Sequence, residues 1–205
     1  MRILLVNNEK DKDDFGRIPE LKKNISQIVD AEFVVKHFHD VTFKDIAVYS
    51  VDYIILSGRF NSSWGKDEEP LFQGEYDLIR NCNVPLLGIC AGMQLIGVAY
   101  GSKMDYICPI EKEKLSERDY VEVKLLQKDK IFKGLTSPIV VYEHHYCEIK
   151  DVSPGFIHLA ASSLTPIQCI KDKDRNVYGV QFHPELYNDD YRDGRIILEN
   201  FFLFC

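Results

Sequence analysis

The sequence predicts an α/β protein with a mostly parallel central sheet flanked by helices and a more antiparallel C-terminal extension. Two patterns and one bound carry this prediction. In the first half, short apolar runs alternate with stretches whose apolar residues recur at helical spacing, which implies crossovers and parallel pairing. In the second half, five strand-like runs follow one another across short turns, which favours antiparallel neighbours. The bound is length: 205 residues, 45% of them hydrophobic, suffice for one domain with a well-buried core, and residues 1–205 are read as that domain.

The elements follow in order. Residues 3–6 read as a short buried strand. Residues 7–20 are charged and turn-rich, and residues 21–29 place apolar side chains at helical spacing. Strand-like runs follow at 32–36 and at 53–56, the second ending in Ser57-Gly58. Residues 70–80 read as helix, 85–89 as strand and 93–99 as helix. The charged stretch 111–119 reads as an exposed loop, a candidate docking surface or simply a solvated one. Beyond it, strands are expected at 121–126, 139–142, 157–162, 167–170 and 177–182, with turns at Ser153-Pro154-Gly155 and Asp172-Lys173-Asp174. A final helix runs from Arg192 or Gly194 to Phe202. Phe72, Tyr76, Tyr100, Phe201 and Phe202 are expected to pack in the core or on the surface.

Composition excludes several function classes. A net charge of −7 and the lack of a long basic stretch argue against a nucleic-acid partner. No segment approaches a membrane span, and the apolar run at residues 3–6 is too short for a signal peptide. The six cysteines are scattered, without a C-x-x-C pair, so reduced thiols in a cytoplasmic setting are expected.

The chemistry centres on Cys90. It lies in Gly88-Ile89-Cys90-Ala91-Gly92, after an apolar run and before a helix-like one. That is the pattern of a nucleophile elbow, with the nucleophile at a strand-to-helix bend. The glycines let neighbouring backbone pass close by. The helix start favours a thiolate and, later, an oxyanion. A base is available in Gly179-Val180-Gln181-Phe182-His183-Pro184-Glu185. A strand delivers His183 to its end, and Glu185, two residues on, shares its face in extended geometry. A carboxylate beside an imidazole fixes the tautomer and stabilises the protonated form. His183 can then exchange protons with Cys90 and with a leaving amine.

These two segments resemble the two signatures of class I glutamine amidotransferase domains, and their separation fits such a domain across essentially the whole chain. The resemblance implies a flavodoxin-like, class I amidotransferase-like fold in a free-standing single-domain member. It implies that Cys90 attacks the side-chain amide of glutamine, releases ammonia and forms a γ-glutamyl thioester that water hydrolyses. His183 would be base and acid, and Glu185 its orienting partner. The oxyanion would be held by backbone N–H groups of Ala91 and of the loop at Gly58 and Arg59. Gln94 would help hold the substrate, and the backbone near His145 and Tyr146 would meet its α-carboxylate and amine. No metal or organic cofactor is implied.

Three departures stand out. The family loop often reads Ser-Gly-Gly-Pro, whereas this chain has Arg59 and Phe60 after Gly58. The stretch 8–20 is longer and more charged than expected after a first strand. The segment Tyr142-Glu143-His144-His145-Tyr146-Cys147 matches no one subgroup cleanly. On a strand, Glu143, His145 and Cys147 would share a face and invite a metal reading, although a structural or substrate-wall role is preferred. Trp64, just beyond the loop, either flanks the pocket or faces solvent.

Three functions compete. The first is a glutaminase or amidotransferase making ammonia for an unidentified acceptor on a synthetase partner. The second is a γ-glutamyl hydrolase or peptidase, in which Arg59 could greet an acidic substrate. The third is a non-enzymatic protein that binds glutamine or a partner, which the presence of Cys90, His183 and Glu185 disfavours.

Overall fold

The computed structural model describes residues 1–65, 68–110 and 114–205, apart from the side chain of Glu69. Four parallel strands form the centre. They are β1 (Arg2–Asn7), β3 (Tyr53–Leu56), β4 (Leu86–Ile89) and β11 (Val177–Val180), with β2 (Glu32–His37) outside β1. The sheet continues antiparallel through β10 (Cys169–Asp172), β9 (Phe156–Ala161), β6 (Glu117–Leu125) and β7 (Ile139–His145). The nine strands run in the order β2-β1-β3-β4-β11-β10-β9-β6-β7. Short strands β5 (Met104–Tyr106) and β8 (Cys147–Ile149) form a separate antiparallel pair.

Strand alternation explains the two-sided core. Along β1, Ile3 and Leu5 enter one hydrophobic cluster while Leu4 and Val6 enter the other. The first cluster packs against α1 (Ile18–Ser26) and α5 (Asp193–Phe204), through Leu21, Ile25, Ile197 and Phe201. The second packs against α3 (Gln73–Asn81) and α4 (Ala91–Ala99), through Leu78, Ile79, Leu95 and Ile96. Every residue of α4 except Val98 is buried, in keeping with a helix that is apolar nearly all round. Among the described residues, no helix is long and apolar enough to cross a membrane.

The predicted fold class agrees with this architecture, but several boundaries move. Helix α1 begins at Ile18 rather than residue 21, because Pro19 in its first turn suits a helix start. The helix expected at 70–80 is a 3-10 turn, Glu69–Phe72, followed by α3. A short α2 (Asp45–Val48), β5 and β8 have no counterpart among the expected elements, being too short to show a period. The expected exposed loop at 111–119 is corrected. Residues 111–113 lie outside the described residues, and Glu117 opens β6, buried and paired across to His145 of β7. Its charge disguises a strand whose buried carboxylate has a partner elsewhere in the chain.

The parallel strands bring the candidate site together. Their C-terminal ends carry Asn8 and Glu9, Ser57 and Gly58, Cys90, and Gln181 to His183 respectively. Ligand sites in open α/β sheets form outside such ends. Val180 pairs with Ile89, so Cys90 and Gln181 continue side by side although 91 residues separate them.

Candidate active site

Cys90 is the N-cap of α4, with φ 50° and ψ −103°. A positive φ is costly for a residue with a Cβ and persists only where surroundings enforce it. Here the Cys90 N–H donates to Val180 O at 2.8 Å, and the Gln94 N–H donates to Cys90 O at 3.1 Å. Gly92 meets the back of β3: a Cβ there would stand 2.5 Å from Leu56 O. The close passage expected of the elbow glycines is therefore present. The thiol itself lies 3.9 Å from His144 O and 3.5 Å from Gln181 Nε2, which donates to it.

His183 is 1% exposed and its N–H donates to Tyr142 O at 2.7 Å. Its Nδ1 meets Glu185 Oε1 at 2.8 Å. The expected pairing is present, but its geometry is corrected. Glu185 is not in extended backbone; Pro184 opens a 3-10 turn, Pro184–Leu186, that curls the carboxylate back to the ring. Burial pulls the imidazole down, yet the charge of Glu185 and that of Cys90 outweigh it and raise it to about 10. With Nδ1 engaged by Glu185, Nε2 is the nitrogen left for proton exchange. A Cβ at Gly58 would lie 2.6 Å from His183 Cε1 and 3.5 Å from Cys90 Cβ, so the glycine allows the loop to press against both residues.

The loop after β3 is cross-braced. Asn8 donates from its backbone to Ser57 Oγ at 3.0 Å and from Nδ2 to Ser57 O at 3.0 Å. Arg59, expected as a possible contact to an acidic substrate, is a buried residue. Its side chain donates through Nε to Asn8 O at 2.6 Å and through Nη1 to Glu68 Oε2 at 2.6 Å, with the guanidinium 4.5 Å from the Trp64 ring centre. Packing and an internal carboxylate thus brace the cation, while Arg59 still lines the cavity beside Cys90. Phe60 covers the base, its ring 4.5 Å from that of His183 and stacked on His144 at 4.8 Å. His144 is pushed down to about 4, by burial first and then by the nearby Arg118 and His183 charges.

Beside the thiol lies a cavity of about 220 Å³, lined by Arg59, Trp64, Cys90, Gln94, Arg118, His145 and Tyr146 among others. Six of the nine predicted site positions therefore border it or build its thiol: Arg59, Cys90, Ala91, Gln94, His145 and Tyr146. The Gln94 amide bridges the walls, accepting from Trp64 Nε1 at 2.9 Å and donating to Cys147 O at 2.7 Å and Gln181 Oε1 at 3.1 Å. Trp64 thus flanks the pocket. Sequence reasoning gives Gln181 no role of its own, although it stands in the histidine motif. Arg118 is hidden in the charged stretch that reads as a loop.

Behind the cavity wall, the His145 imidazole turns inward. Nε2 lies 3.1 Å from Glu117 Oε2 and 3.2 Å from Glu143 Oε2, and Nδ1 lies 2.9 Å from Cys147 O. Burial pushes Glu117 up, but His145 and Ser162 hold it below its ordinary range; burial dominates at Glu143 and raises it. Burial pulls His145 down, and the two carboxylates carry it well above its ordinary value. The metal grouping of Glu143, His145 and Cys147 is corrected. Among the described residues, the side chains whose ligand atoms converge within 4.8 Å are those of Glu117, Glu143 and His145. Strand β7 ends at His145, so Cys147 belongs to β8 and leaves that face.

A thiol on a strained strand-to-helix turn, an imidazole fixed by a carboxylate and a small polar cavity suit acyl transfer through a thioester. The chain belongs to the class-I glutamine amidotransferase family, a family of enzymes, whose model, Glutamine amidotransferase class-I, matches residues 20–204. It is similar to a glutamine-hydrolyzing GMP synthase subunit of Methanosarcina acetivorans, 31% identical over 100% of this chain and 97% of that protein. The corresponding subunit from Pyrococcus abyssi is 41% identical over 60% of this chain and 61% of its own length. The glutamine-hydrolyzing GMP synthase of Staphylococcus carnosus is 36% identical over 80% of this chain but only 30% of its own length. The match thus spans less than two thirds of the Pyrococcus and Staphylococcus proteins. Among solved structures, a putative GMP synthase subunit protein from Thermoplasma acidophilum superposes with a TM-score of 0.79 at 25% identity, over 98% of this chain and 92% of that one.

Proposed function

We propose that this chain hydrolyses the side-chain amide of glutamine and supplies the ammonia to a synthetase partner. The observation that carries the reading is the placing of Cys90 and the His183–Glu185 pair at the adjoining ends of β4 and β11. The Cys90 thiolate attacks the amide carbon. Backbone N–H groups of Ala91 and of the Gly58–Arg59 loop stabilise the oxyanion. His183, held as imidazolium by Glu185, gives the proton from Nε2 to the departing nitrogen, and ammonia leaves. The same Nε2 takes a proton from the water that opens the thioester to glutamate. Gln94 and Tyr146 border the amino-acid end, and the exposed guanidinium of Arg118 suits the α-carboxylate. The cavity volume supports a substrate of amino-acid size. We read residues 1–205 as one domain, because the main sheet draws strands from Arg2 through Val180.

The relatives' names support an acceptor of the GMP synthase kind. One observation favours the second reading, a γ-glutamyl hydrolase: a further cavity of about 430 Å³ shares Trp64 with the first and could take a larger leaving amine. Purified chain incubated with glutamine and with a panel of γ-glutamyl amides, alone and with the synthetase component of a GMP synthase, separates the two. Ammonia release from glutamine that rises with the partner is expected. Rapid release of a bulky amine with little ammonia would overturn the first reading. Cys90→Ala should lower every such activity at least about 10³-fold; unchanged turnover would remove Cys90 from the mechanism.

A further inference from the structure

Glu9 is a buried carboxylate with no part in the chemistry just described. It is 1% exposed and follows β1 directly after Asn8. Its carboxylate accepts the Phe60 N–H at 2.7 Å and the Asn61 N–H at 3.3 and 3.2 Å. It also accepts from Ser62 Oγ at 3.1 Å. The chain after β1 folds back to enclose it. A Cβ on Gly16, which has φ +46°, would stand 2.4 Å from Glu9 Oε1, so only glycine leaves room for the carboxylate there. The His37 ring anchors the Glu9 carbonyl, Nε2 to O at 2.7 Å.

We propose that Glu9 is the positioning residue of the oxyanion loop, restraining through its carboxylate the backbone that follows Gly58 and Arg59. The loop has Arg59 and Phe60 after Gly58. Here two successive N–H groups converge on one carboxylate, which restrains the stretch by charge-assisted hydrogen bonds. The preceding residues, Gly58 and Arg59, are those whose N–H groups would face the oxyanion. The next ring, that of Phe60, lies against His183, so the clamp also sets one wall of the base. The long charged stretch after β1 then has a physical purpose: it carries the carboxylate and wraps the glycine turn around it.

The proposal rests on the thioester reading of the site, and its test keeps the two separable. Glu9→Gln, in the full chain, retains one acceptor oxygen, but its amide nitrogen cannot accept from an N–H, so part of the clamp is lost. Gly16→Ala keeps the carboxylate and displaces it. Both should lower kcat for glutamine hydrolysis roughly tenfold to a hundredfold with KM within about twofold, since the interaction lost belongs to the transition state. Alkylation of Cys90 by iodoacetamide passes through no oxyanion and should keep its rate, which a general loss of structure would not allow. Amide hydrogen exchange of a peptide spanning residues 57–62 should quicken at least about tenfold in both variants. Unchanged exchange, or an exchange increase with unchanged kcat, overturns the clamp. Absence of turnover in the unsubstituted chain would instead count against the thioester reading, while hydrogen exchange still decides whether Glu9 holds the loop.

Discussion

The elbow at Cys90 and the loop at residues 57–62 face each other across one small cavity, yet opposite means hold them. The elbow is set by backbone passing close to backbone: Cys90 N–H on Val180 O, and Gly92 against Leu56 O. The loop is set by side chains: Asn8 on Ser57, Glu9 on Phe60 and Asn61, Arg59 on Asn8 and Glu68. Close backbone contact leaves little freedom in residue type, so the elbow has a recognisable motif. Side-chain bracing admits many solutions, so a loop that reads Arg59-Phe60 after Gly58 can still be held. The difference predicts that substitutions at the elbow act through packing, whereas those at the loop act through charge and hydrogen bonding.

The sharpest way to break the comparison is at the base that both walls serve. Glu185→Gln should lower kcat/KM roughly 10²–10³-fold. Burial pulls His183 down, and the Glu185 and Cys90 charges raise it to about 10. With the folded value above the ordinary 6.5, the imidazolium's contribution to stability is complete below pH 6.5 and lost as pH rises through about 10. Removing the carboxylate lets burial act with less opposition, so the alkaline limb of the pH–rate profile should shift to lower pH. A limb that stays in place would deny Glu185 its role. Next in size is Gly92→Ala, which puts a Cβ 2.5 Å from Leu56 O and 2.7 Å from Leu56 Cβ. It should cost about 3 kcal/mol by urea denaturation, the upper end for overpacking, because backbone yields less than side chain. A loss below about 0.5 kcal/mol would mean that the elbow is looser than its contacts indicate. Smallest is Glu68→Gln. It leaves a buried guanidinium with a neutral acceptor and should cost about 2 kcal/mol. Its activity should fall more than its stability alone accounts for, because the Arg59 end of the loop is released. Equal effects in Gly92→Ala and Glu68→Gln on loop hydrogen exchange would erase the distinction between the two walls.

Legibility follows the same division. The parallel strands, Cys90, His183, Glu185 and the antiparallel second half are readable because period, glycine placement and motif spacing are local properties. Arg59 is misleading because an arginine in a loop is ordinarily solvated, and nothing near it in sequence announces Glu68, Trp64 and Asn8 as its cage. Glu117 misleads for the mirror reason: a run rich in charge reads as surface until His145, 28 residues on, is seen across the strand pair. Gln181 stands in plain view in the histidine motif, and only the Val180–Ile89 register turns it toward the thiol.

Sequence by itself therefore determined the layered α/β class, the family and the three residues at the centre of the proposed chemistry, because each depends on short-range geometry or on a compact motif. Tertiary structure alone decided which charges are buried and against what. Asn8 and Glu9 meet the loop across separations of 49 to 53 residues, and Gln94 meets Gln181 across 87. Desolvation makes each such polar or charged group costly unless a partner is delivered to it, and no local pattern encodes where in the sheet that partner arrives.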